Sequence, residues 1–208
     1  MTDIIVVGED DVTREIIKRL LQSYRKDFDV IREEPVRGGK IKKDVLKYNC
    51  LNLPVIMLTD LDQYDCPPSL IREWFQEEPK NPNLVFRVAC DEAEGWLMAD
   101  KTGFAKFLKI SEDLLPALKS LDTRRNPQNI ELAFPYKPSL FLMRELAQKS
   151  ADKSLKEKLM PRTVAKKGSQ YNSTLLPFVV NHWNIEAAIK NSYSLQKAVE
   201  RIIKFKSE

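Results

Sequence analysis

The sequence has one histidine, His182, and three cysteines, Cys50, Cys66 and Cys90, in 208 residues. A lone imidazole cannot build a multi-histidine metal site, and it argues against histidine-based catalysis. An odd cysteine count without a Cys-x-x-Cys pair argues against both a zinc ribbon and a disulfide framework. No apolar run approaches the roughly 20 residues that a membrane span needs. Met1-Thr2-Asp3 leads straight into an apolar run, without the basic region and small-residue cleavage site of a signal peptide. A cytoplasmic protein with no membrane partner is therefore expected. What is present is 43% hydrophobic and 31% charged residues, a globular rather than a disordered balance. The length suits one domain, or one with an appendage.

The charges divide unevenly. Residues 1–104 carry 15 Lys and Arg against 20 Asp and Glu, a net of −5, and residues 105–208 carry 19 against 10, a net of +9. This suggests a carboxylate site in the first part and a polyanion-binding surface in the second. Ordinary variation of a solvated surface would give the same numbers.

The apolar pattern predicts strands at Ile4–Val7, about Asp29–Glu33, Pro54–Thr59 and Leu84–Ala89. Between them it predicts helices over 11–25, where Val12, Ile16, Ile17, Leu20 and Leu21 recur at helical spacing, and from Pro67. A weak helix before Cys50 and another from about Glu92 complete the alternation. Such alternation argues for an α/β fold with a parallel sheet flanked by helices. From about residue 102 the periods are helical, ending in an amphipathic helix over 192–206. The expected organisation is an α/β core over 1–104 and a mainly helical, basic lobe over 105–208.

In an open parallel sheet, ligands bind outside the carboxyl ends of the strands. Three predicted strands end there in acid, at Glu9-Asp10-Asp11, Asp60-Leu61-Asp62 and Asp91-Glu92-Ala93-Glu94. Converging carboxylates raise each other's pKa, and a divalent cation removes the conflict. Oxygen-only ligands favour Mg²⁺ or Mn²⁺. Helix capping explains Asp10 or Asp11 equally well, and the helix dipole explains first-turn acids at Glu92 and Glu94. Asp60 and Asp62 are harder to dismiss, because a turn needs at most one of them.

Glu9-Asp10 after the first strand, Leu58-Thr59-Asp60-Leu61-Asp62 after the third, and Arg87-Val88-Ala89 followed by Glu92-Ala93-Glu94-Gly95-Trp96-Leu97-Met98-Ala99-Asp100 resemble the TOPRIM fold. The likeness is nearest to a small prokaryotic TOPRIM-like family related to the OLD-family nucleases. That resemblance implies Asp60 and Asp62 as ligands of a catalytic Mg²⁺ or Mn²⁺. It implies Glu9 as a metal ligand or proton shuttle, and Glu92 or Glu94 at a second metal position. The activity implied is phosphodiester hydrolysis of nucleic acid, in an antiphage or genome-maintenance role with an ATPase partner. The family's first motif reads Glu-Gly where this chain reads Gly8-Glu9, which keeps a non-catalytic binding subunit open. A receiver-like module with Asp60 as phosphoacceptor is a third reading, although the Ser or Thr after the fourth strand and the Lys after a fifth are not evident.

Candidate phosphate contacts are Arg37, Lys40, Lys42 and Lys43 in and after a glycine loop. Arg124, Arg125, Lys137, Arg162, Lys166 and Lys167 join them in the basic half. Lys137, between Tyr136 and Pro138, is the best candidate for a transition-state cation. Trp74, Trp96 and Trp183 lie in apolar helical patterns and are read as core.

Overall fold

A computed structural model describes residues 1–36, 40–122, 126–160, 167–168 and 170–206. It divides into two compact units, Met1–Cys90 with Lys197–Glu208, and Asp91–Gln196. The charge pattern had suggested a division at 104/105. No helix among the described residues is long and apolar enough to cross a membrane.

The first unit is a four-stranded parallel sheet in the order β2-β1-β3-β4. Strand β1 (Thr2–Gly8) lies centrally, between β2 (Phe28–Pro35) and β3 (Val55–Asp60), and β4 (Leu84–Ala89) pairs outside β3. Ile4, Ile5, Val6 and Val7 are completely buried, as a strand with covered faces requires. Helix α1 (Asp11–Tyr24) buries Val12, Ile16, Ile17, Leu20 and Leu21. Its N-cap is Asp10, which accepts from the Thr13 amide and hydroxyl, both at 2.9 Å. Helices α2 (Lys40–Asn49) and α3 (Pro67–Phe75) follow. Pro67 and Pro68 open α3, where missing N–H donors cost nothing. Beside the sheet, Trp74 meets Phe86 edge-on at 5.8 Å and donates its indole N–H to Tyr64 at 3.0 Å.

The last residues return to this unit. Phe205 stacks on Phe28 with ring centroids 5.6 Å apart. Arg25 donates to the carbonyls of Ile202, at 3.0 Å, and Phe205.

The second unit opens with α4 (Ala93–Met98) and α5 (Lys101–Leu108). An antiparallel hairpin follows, β5 (Leu118–Asp122) with β6 (Asn126–Leu132). The helical periodicity did not anticipate this hairpin. Next come α6 (Pro138–Phe141), a π-helical turn over Leu142–Leu146, α7 (Ala147–Lys149) and α8 (Lys153–Leu159). Then come α9 (Tyr171–Asn181), α10 (Ile185–Ile189) and α11 (Tyr193–Ile203), whose residues from Lys197 belong to the first unit. Trp96 and Trp183 are buried here, and Trp74 in the first unit, as core residues.

Candidate functional site

The strand order reverses between β1 and β3, and this position defines the site. The two strands are parallel neighbours in the register Val7↔Met57 and Gly8↔Leu58. Residues that follow them therefore leave the sheet at the same end and side by side. A crevice outside the carboxyl ends of two such strands is where open α/β sheets bind ligands.

Glu9 follows β1 there. It accepts from the Thr59 hydroxyl at 3.1 Å, and the Asp60 amide also donates to it. Burial pushes the Glu9 carboxyl above the ordinary glutamate range. The negative charges of Asp62 and Asp10 push it further, while the Thr59 and Asp60 hydrogen bonds oppose the rise. Asp60 closes β3, in register with Ala89. The Leu61 amide extends the ladder one step by donating to the Ala89 carbonyl at 3.0 Å. The chain then turns sharply, with Asp62 at φ 50°. Aspartate adopts that left-handed conformation more readily than most residues do. The structure thus sets the Glu9 carboxyl against the Thr59 hydroxyl and the Asp60 amide, within electrostatic reach of Asp62.

Gly8 has a steric role. A Cβ there would meet the Thr13 methyl at 3.0 Å and the Arg14 amide at 3.2 Å, so its absence lets α1 begin close against the strand end. Arg14, a buried cation, was not singled out from the sequence. Its guanidinium donates to the Gly8 carbonyl at 3.3 Å and to Asp11, and lies 3.7 Å from Glu33. Spacing alone signals only the Asp11–Arg14 pair.

The other predicted acids belong to the second unit and have cationic partners there. Glu92 is buried, accepts from the Ser139 amide at 2.7 Å, and has the Lys137 ammonium at 3.8 Å. Glu94, also buried, accepts from Lys167 at 2.6 Å and from the Tyr171 hydroxyl at 3.0 Å. Lys167 also lies over the Tyr171 ring, 5.0 Å from its centroid. Two of the predicted cations, Lys137 and Lys167, are thereby paired with two of the predicted metal ligands.

The structure describes only part of the expected nucleic-acid surface. Lys40 opens α2 and is exposed. Lys42 pairs with Glu73 and hydrogen-bonds Tyr64. Arg37, Arg124, Arg125, Arg162 and Lys166 lie outside the described residues.

Glu131, on β6, also escaped the sequence reading. It is buried and accepts from the Ser194 amide at 2.5 Å, at the start of α11. Ser194 in turn accepts from the Trp96 indole at 2.8 Å. Burial raises the Glu131 carboxyl, with Asp91 adding to the rise, against the hydrogen bonds from Ser194 and Ser192.

Among the described residues, no three His, Cys, Asp or Glu side chains form a group that could hold a metal ion. Comparison with protein-family models, with curated proteins and with solved structures returns no match.

Proposed function

We propose that the crevice at the carboxyl ends of β1 and β3 is a divalent-cation-dependent site for phosphodiester hydrolysis of nucleic acid. The observation that carries this reading is the Glu9 carboxyl held by the Thr59 hydroxyl and the Asp60 amide, with the charge of Asp62 bearing on it, where the strand order reverses. Burial raises the Glu9 carboxyl, and its acidic neighbours add to the rise. Such an arrangement favours a cation. For an oxygen-ligand site of this kind the expected ion is one that keeps water and takes substrate phosphate as a ligand. That is Mg²⁺ or Mn²⁺ rather than Zn²⁺. The TOPRIM-like motifs point to the same chemistry.

In this reading Asp60 and Asp62 hold the cation. When bound, it would polarise a phosphate oxygen and lower the pKa of a coordinated water. Glu9, its carboxyl raised above the ordinary glutamate range by burial, takes the proton of the attacking water. The Thr59 hydroxyl and the Asp60 amide aim that carboxyl. Gly8 and Arg14 fix the turn that carries it. Glu92 and Glu94 are left to their donors, and Lys137 is given no step.

The test is incubation of the purified chain with Mg²⁺ or Mn²⁺ and plasmid, linear duplex, single-stranded DNA and RNA. Metal-dependent cleavage, lost in Asp60→Asn, is expected. The binding-subunit reading draws on the lack of a ready three-residue metal group. It gains if the chain binds nucleic acid but never cuts it. Labelling of Asp60 by acetyl phosphate would instead favour the receiver-like reading.

A further inference from the structure

A second concavity, in the other unit, is used by none of the chemistry above. It is a cleft of about 670 Å³ lined by Thr102, Gly103, Lys106 and Phe107 of α5 together with Asp100, His182, Asn184 and Ala187. That volume lies within the range of small-molecule sites.

Its walls are held in place from within. Asp100 is buried, and its two carboxylate oxygens are engaged by main-chain donors. One accepts from the Gly103 amide at 3.1 Å, the other from the Asn184 amide at 2.8 Å. The carboxylate thereby ties the start of α5 to the segment between α9 and α10. Gly103 makes this possible, since a Cβ there would fall 2.2 Å from an Asp100 oxygen. Phe107 is fixed by Phe178 at 5.1 Å and Phe104 at 6.0 Å. The cleft is pre-formed by packing, which lowers the ordering cost of a ligand.

With Asp100 committed to the scaffold, the groups left to face a ligand are chemically distinctive. Lys106 brings an ammonium group and is exposed. His182, the only imidazole in the chain, adds a second nitrogen group that can donate. Phe107 offers an aromatic surface, and Ala187 contributes only a methyl group to the lining. The wall segment also contains Trp183, buried, with an indole N–H that has no acceptor among the described residues.

We propose that this cleft binds a small aromatic anion of mononucleotide size, its ring against Phe107 and its phosphate or carboxylate on Lys106 and His182. The site is independent of the carboxylate crevice, and its test uses binding alone.

The single histidine supplies the reporter, because only one imidazole signal exists in the NMR spectrum of the full chain. The probes are adenosine monophosphate, benzoate and inorganic phosphate. A saturable shift of the His182 ring signal with the nucleotide, benzoate or both is expected, with inorganic phosphate binding more weakly. A preference for the nucleotide marks a phosphate ligand, and a preference for benzoate a carboxylate. Lys106→Ala removes an exposed side chain and should weaken binding about tenfold, the scale of one charge-assisted contact. Ala187→Leu narrows the cleft without altering charge and should weaken the binding read from the shift. The proposal is overturned if neither aromatic anion gives a saturable shift at millimolar concentration, or if inorganic phosphate binds as tightly as both. It is also overturned if both variants bind as the parent does.

Discussion

The acid after β1 and the acids at the start of α4 are partnered in different ways. At the end of β1 and β3, Glu9 lies among other acids, with a hydroxyl and an amide as its donors. On and beside α4, Glu92 and Glu94 each have a lysine. Two carboxylates of one residue type, each following a core strand, thus have different roles. A carboxylate with its own ammonium group is already compensated and holds structure together. A carboxylate raised by acidic neighbours is in a setting where a bound cation would relieve the repulsion. The contrast separates a candidate reaction centre from a structural one more sharply than counting acids at strand ends.

The largest effect that would break this contrast is on activity. Asp60→Asn or Asp62→Asn should lower metal-dependent cleavage by about a thousandfold or more, on the scale of losing an essential charge-stabilising group. The fold should persist, because Asp62→Asn removes a charge that pushes Glu9 upward. Cleavage assays beside urea unfolding would check both halves. A matching loss of stability would mean that these acids serve the fold.

Glu94→Ala should do the reverse. It leaves the Tyr171 hydroxyl and the Lys167 ammonium without their carboxylate, a loss of about 2–4 kcal/mol for a buried charged hydrogen-bond partner. Urea unfolding midpoints would show it. A variant as stable as the parent would remove the structural role assigned to this pair.

A smaller effect is the pH dependence. Glu9 and Glu131 both have folded-state pKa values raised above the ordinary 4.5. The folded chain therefore holds their protons to higher pH than the unfolded chain does. Between the unfolded and the folded pKa the native state binds more protons, so stability falls as pH rises. The window opens near 4.5 and extends upward. Glu9→Gln should remove its share of that loss, so the stability gap between variant and parent should widen with pH across the window. Thermal unfolding over a pH series would measure it, and a constant gap would count against the raised carboxyl.

The smallest effect concerns the surface charge. Reversing Lys204 and Lys206 to Glu, near the end of the chain, should leave nucleic-acid affinity and its salt slope nearly unchanged. Lys167→Glu should act first through stability, because it sets a second carboxylate against Glu94. Salt-dependent binding titrations with matched melting curves distinguish the two. Equal loss of affinity at both places would reduce the basic half to its net charge.

The strands were legible because β-branched runs such as Ile4–Val7 and Val55–Ile56 admit little but a buried strand. Helix α1 was legible from its spacing and from Asp10. The hairpin at Leu118–Leu132 was not, because Leu118-Lys119-Ser120-Leu121-Asp122 lacks the clean two-residue alternation of a half-buried strand. Pro127 in the sequence also reads against a strand. The acids were singled out from the sequence, but their partners were not. Partnership is a long-range property: Lys167 lies 73 residues from Glu94, and Ser194 lies 63 from Glu131. No local period encodes such distances. Arg14 was hidden for another reason, since α1 buries it on the face where apolar residues are expected.

The return of the last residues to the first sheet bears on how the protein is made. Arg25 finds the Ile202 carbonyl 177 positions later in the chain, and Phe28 waits as long for Phe205 to cover it. During vectorial synthesis β1 pairs with β2 early and with β3 once residue 60 has emerged. The face at Arg25 and Phe28 stays open until residues 202–205 have left the ribosome, so its closure follows the pairing of the strands it borders.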